Sequence, residues 1–176
     1  MELKRISAES IPRAIAKAER YRLINEPRES ESICRDILEV DPSHQEALSI
    51  LLLALTDQFP IKEARVTSRD ALEILERLEG EYERAYYAGV IAERAGKTML
   101  HSGYASDAVY ETLREAMESY ESALRLAPKG NEDAALRWNT CARMIERAGL
   151  GPAEGVHGAL EHFDDEVPWR SAGRSG

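Results

Sequence analysis

The sequence predicts an all-α chain, built as an antiparallel array of helix pairs. Three observations carry this. The chain is rich in Ala, Leu, Glu and Arg, with 31% charged and only 6% aromatic residues, a balance that favours helix over strand. Two phrases, ILEVDPSHQEAL (37–48) and ALRLAPKGNEDAAL (123–136), follow one plan. Each is an apolar helical run, a proline stop, a few polar residues and a new helix opening on acids and alanine. No stretch alternates apolar and polar residues as a half-buried strand does. Consecutive helices with short connections pack as antiparallel neighbours.

The elements follow in order. Ser7 or Ser10 caps a first helix with Pro12 in its first turn; Ile11, Ala14, Ile15, Ala18 and Tyr21 mark its apolar face. Asn25 and Glu26 break it. Pro27 opens a second helix with the stripe Ile33, Cys34, Ile37 and Leu38, and Asp41-Pro42 closes it, because proline disfavours the helical conformation of the residue before it. Ser43 to Glu46 reads as a capping box. The third helix holds Leu48, Ile50, Leu51, Leu52, Leu53 and Leu55. It is apolar nearly all round and is expected between neighbours on two sides. Phe59-Pro60 is expected to open a fourth helix ending near Gly80. A fifth is expected from Glu81 to Ala95, with Gly96 as its left-handed cap. A less regular segment, Lys97 to Ser106, precedes a long sixth helix, which Pro128-Lys129-Gly130 breaks. Asn131 caps a seventh, carrying Trp138 and Cys141, and Gly149 ends it.

These seven helices define a domain over residues 1–150. From Gly151 the composition shifts to Gly, Pro, Ser and acids. Residues 151–176 read as an extension in which Ala153 to Phe163 could make one short helix and Val167 onward forms a tail. That tail could fold back, with Phe163 or Trp169 capping the array; an uncovered Trp138 would instead favour a homodimer.

The net charge of −9 argues against nucleic acid as a partner, since phosphate binding needs clustered Lys and Arg. It also argues against anionic membranes. The opening residues MELKRISAES lack the apolar core of a secretory leader, and the run Ile50 to Leu55 is too short to span a bilayer. Cys34 and Cys141 read as buried free thiols, and a cytoplasmic location is the expectation.

In the two-helix phrases the chain resembles the tetratricopeptide repeat family, whose period is about 34 residues. Over Ile11 to His44 the matching residues are Ala18, Tyr21 and Pro42, while Ser30 and Cys34 depart from the pattern. From Gln45 the match is Leu48, Leu51 and Leu55, with Leu52 in place of a small residue. The stretch AYYAGVIAERAGK supplies Gly89 as the small residue and Gly96-Lys97 as an inter-helix turn, followed by Ala116, Tyr120, Ala123, Leu124 and Pro128. Pro42 and Pro128 lie farther apart than two periods of roughly 34 residues. The excess is assigned to the fourth helix and to an insertion over Thr98 to Glu111, which with Tyr104 and Tyr110 is expected to extend the third pair and cover part of a groove.

The resemblance, which spans Ile11 to Gly149, implies a right-handed superhelix whose first helices line a concave groove. The groove residues it implies are Ile15, Glu19, Arg22, Ser49, Leu53, Tyr86, Val90, Glu93, Asn139, Arg143 and Glu146. Tyr86 and Arg143 stand out because Tyr and Arg are enriched at binding hot spots. Some family members grip the terminal carboxylate of heat-shock chaperones with Lys, Arg and two Asn; Asn139 and Arg143 alone do not make that clamp.

No residue pattern points to chemistry. His157 and His162 are five apart, which turns the second imidazole away from the first on a helix, so no metal site is expected. Gly96-Lys97-Thr98 lacks the remainder of a phosphate loop and follows no strand. No catalytic residue or cofactor is expected. The function expected is non-enzymatic: an interaction module for a peptide or helix of another protein. A dedicated chaperone for a secreted or assembly partner is the alternative, and an enzyme or enzyme-regulatory domain the third.

Overall fold

The computed structural model describes residues 2–153. The short helix expected after Ala153, the histidine pair and the tail lie outside them. Among the described residues there are seven α-helices and no strand: α1 (Ile11–Leu23), α2 (Pro27–Leu38), α3 (Gln45–Asp57), α4 (Ser68–Leu75), α5 (Glu81–His101), α6 (Ser106–Leu126) and α7 (Asp133–Ala148). Each helix packs on the next in sequence, and α1 also meets α3, which meets α5. Helices α1, α3 and α5 thus form one layer, and Arg137 of α7 joins it by pairing with Glu93 of α5. Among the described residues no helix is long and apolar enough to cross a membrane.

The centre of the array is α3. Leu48, Leu51, Leu52 and Leu55 are almost fully buried, each contributing about 1.5–3 kcal/mol relative to exposure. They belong to a cluster that joins α1 to α4 and includes Cys34, Ile37 and Ile91. A second cluster joins α5, α6 and α7 around Val90, Leu113, Met117 and Tyr120, with Leu53 packed against it. Tyr87 touches both clusters, so α5 is the seam between them.

Several local expectations are corrected. The third helix is capped by His44, whose Nδ1 accepts from the Ala47 amide at 3.3 Å. Ser43 is turned away because its amide and hydroxyl both donate to the Asp41 carboxylate. Phe59-Pro60 opens no helix. Half-buried Phe59 packs against the first cluster, and the chain continues through a 3-10 turn at Lys62–Ala64 to Arg65, which is left-handed with φ 56°. The helix starts only at Ser68, where Thr67 and Asp70 form a capping box at 2.7 Å.

Gly96 ends nothing either. It is buried inside α5, and a Cβ there would lie 2.8 Å from Leu113 Cδ2; the residue is small so that α6 can approach. The turn falls instead at Gly103, with φ 74°. The expected insertion is therefore mostly helix, the last turn of α5 and the first of α6. The two form a hairpin of 21-residue helices. This hairpin and the non-helical stretch before α4 hold the excess length between Pro42 and Pro128. Gly149, left-handed at φ 59°, ends α7 as expected.

Candidate interaction surface

Two polar clamps cross the layer of odd-numbered helices. In the first, the Asp57 carboxylate of α3 accepts from Arg22 of α1 at 2.7 Å and from Arg94 of α5. Arg22, expected in the groove, is thus committed to holding three helices together. The second clamp centres on Glu93. Its side chain is fully buried, accepts from the Tyr120 hydroxyl at 2.7 Å and from Arg137 of α7 at 3.3 Å, and pairs with Lys97 one turn on. Burial alone would raise the Glu93 carboxyl. Lys97, the Tyr120 hydroxyl and Arg137 outweigh it and hold the group below its usual range. Burial, then the carboxylate beside it, pushes the Tyr120 hydroxyl far above the ordinary tyrosine range.

The expected groove residues therefore do different things. Ile15 and Val90 are core residues with 5% and 0% exposure, so neither is open to a partner. Glu93 is closed off inside its clamp. Leu53 packs against the second cluster. Ser49 lines a cleft between α3 and α5 together with Glu46, Glu79 and Glu83, an acidic stretch. Glu19 is exposed on α1, and Asn139, Arg143 and Glu146 are exposed on α7. Tyr86 is half-buried in an aromatic group, 5.8 Å from Tyr82, 5.3 Å from Tyr87 and 5.9 Å from Tyr120 between ring centroids.

What the structure does bring together is a surface between α5 and α7. One cleft of about 280 Å³ is lined by Tyr86, Glu93, Lys97, Asp133, Leu136, Arg137 and Thr140. A second, of about 480 Å³, is lined by Leu100, Thr140, Arg143, Met144, Arg147 and Ala148. Thr140 belongs to both, so the clefts adjoin. Leu136, Thr140, Arg143 and Arg147 follow one another at helical spacing on the open face of α7. Leu136 is 63% exposed. Arg143 and Arg147 are exposed and pair with no carboxylate among the described residues. Among the described residues, the other charges lining these clefts are Lys97, Arg137, Asp133 and the Glu93 carboxylate that Lys97 and Arg137 pair, so the surface is locally basic on a chain of net charge −9.

Sequence reasoning reached Tyr86 and Arg143 but missed Lys97, Leu136, Arg137 and Thr140. The spacing of Leu136, Thr140, Arg143 and Arg147 was a usable signal. The burial of Glu93 had none, since a glutamate on a helix is ordinarily solvated. The hairpin tip at Tyr104 lines a separate cleft with Pro60 and Lys62, so the expected insertion borders the loop before α4. Trp138 is partly covered and donates to Glu121 of α6 at 3.1 Å.

Comparison of the chain with protein-family models, with curated proteins and with solved structures finds no match in any of the three.

Proposed function

We propose that this chain is a non-enzymatic, tetratricopeptide-like interaction module. Its α5–α7 surface takes an extended or helical segment of another protein. One observation carries the reading: an exposed stripe of Leu136, Thr140, Arg143 and Arg147 flanks two adjoining clefts. An exposed leucine beside guanidinium groups that pair with no carboxylate among the described residues offers burial and orientation together. The sign of the surface favours a segment that carries Asp or Glu beside an apolar residue. The Glu93 clamp supports the reading too, because it fixes α7 against α5 and presents the clefts preformed. A preformed site loses less ordering entropy on binding.

The test is a pull-down with the full chain as bait, comparing wild type with Leu136→Asp and with Arg143→Glu/Arg147→Glu. All three positions are exposed, so helicity should be unchanged. Tyr86 is a poorer choice because it packs against three other tyrosines. The expected result is one partner whose retention falls at least about 30-fold in each variant, the loss typical of a hot spot. Equal retention by all three baits would move the site elsewhere.

A further inference from the structure

A second surface lies at the opposite end of the array. Arg13, Ala16, Lys17, Arg20, Tyr21 and Ile24 form one stripe along α1 and line one cleft. The stripe holds three cations and no carboxylate. Arg13, Lys17 and Arg20 sit on successive turns, where like charges repel. The Lys17 ammonium lies 5.7 Å from the centre of the Tyr21 ring, and Ile24 at the end of the stripe is 61% exposed. Among the described residues, α1 packs on α2, α3 and the turn before it, through Ile11, Ile15 and Ala18. The stripe is on the other side. End helices of stacked arrays normally turn a polar face to water; this one turns a face of single sign with an apolar end.

The chain carries a segment of complementary chemistry. Residues 161–169 read EHFDDEVPW. Glu161, Asp164, Asp165 and Glu166 supply acids, Phe163, Val167 and Trp169 supply apolar surface, and there is no Lys or Arg. Packed helices lie 8–10 Å apart, so α7 and α1, three places apart in their layer, are separated by about 30 Å. The roughly ten residues between Gly151 and Glu161 span about 35 Å when extended, enough to cross that layer.

We propose that the segment Glu161–Trp169 docks on the α1 stripe of its own chain. Asp164, Asp165 and Glu166 face Arg13, Lys17 and Arg20, and the aromatic rings cover Tyr21 and Ile24. The segment then relieves the repulsion along the stripe and caps the outermost helix. This surface is separate from the α5–α7 clefts, and the inference does not depend on what they bind.

Trp138→Phe leaves Trp169 as the sole tryptophan of the full chain. In that background, acrylamide quenching and emission wavelength report whether its ring is covered. At low ionic strength the expected quenching constant is several-fold below that of free tryptophan, with blue-shifted emission, and both are independent of protein concentration. Arg13→Glu/Lys17→Glu/Arg20→Glu should expose the ring, and adding Asp164→Lys/Asp165→Lys/Glu166→Lys should cover it again. If the reversal lowers helicity by circular dichroism, the neutral Arg13→Gln/Lys17→Gln/Arg20→Gln chain should still show a partial rise in quenching. Identical quenching with and without the α1 cations overturns the proposal. So does protection that vanishes on dilution, which would place the segment on a second copy. Exposure of Trp169 by Arg143→Glu/Arg147→Glu alone also overturns it, placing the segment in the α5–α7 clefts.

Discussion

Glu93 is a carboxylate cut off from water, and its three polar partners decide how it behaves. Removing it as Glu93→Ala leaves Lys97, Arg137 and the Tyr120 hydroxyl facing one another without their acceptor. Breaking a buried pair from one side typically costs about 3–5 kcal/mol, and urea denaturation should read a loss of that order. The same group predicts a pH dependence. Its folded carboxyl is held below the ordinary value of 4.5, so as pH falls the unfolded chain takes up the proton first. The stabilisation is complete above 4.5 and is lost as pH drops through the lowered folded value. Between neutral pH and about pH 3, wild type should therefore lose more stability than Glu93→Gln. Cys34 and Cys141 behave in the opposite sense. Burial pushes both thiols up from 9.0 to about 12, so their contribution is present below 9.0 and is lost as pH rises toward 12. At neutral pH a thiol reagent should label both cysteines only as fast as the chain opens.

Among the elements, the α5–α6 hairpin carries the sharpest packing constraint. A Cβ on Gly89 would sit 2.5 Å from Cε1 of Tyr120. That ring cannot step aside, because its hydroxyl is tied to Glu93. Gly89→Ala gains helix propensity yet should destabilise the chain by about 1–3 kcal/mol through overpacking. At Gly96 the obstacle is the free end of Leu113, a flexible tip, so Gly96→Ala should cost less. Thermal unfolding of the two variants side by side checks that order. The same hairpin shows what was legible in the sequence. Gly89 was identified as a small packing residue, and its pattern was local. Gly96 reads in the sequence as the left-handed cap that ends a helix; its contact with Leu113, across the hairpin, shows otherwise. The start of α4 was misplaced for a similar reason, since the Phe59 contact that holds the preceding loop is tertiary. Periodicity marks α1, α2 and α7 because their apolar stripes are written within each helix, and α3 is legible as an apolar run.

At the scale of the whole molecule, the two hydrophobic clusters meet at α5, and Asp57 ties α1, α3 and α5 together across that seam. Asp57→Ala frees two arginines and should lower stability by about 2 kcal/mol, the worth of a charge-assisted hydrogen bond in a partly shielded site. Hydrogen exchange should show the loss concentrated in α1, whose only clamp to the remaining odd-numbered helices it is among the described residues. The contrast between an acidic cleft beside Ser49 and a basic one beside Arg143 could not be read in the sequence. It depends on which charges are spent in clamps, and Arg22, Arg94, Lys97 and Arg137 all are. Arg143 and Arg147, which pair with no carboxylate among the described residues, define the surface proposed to bind a partner. A photo-crosslinking residue placed at Thr140, between the two clefts, tests it most directly against the same residue at Glu115 on the exposed side of α6. In native lysate, the expected result is a covalent adduct with one protein from position 140 and none from position 115. Equal adducts from both positions, or an adduct from position 115 alone, would contradict it.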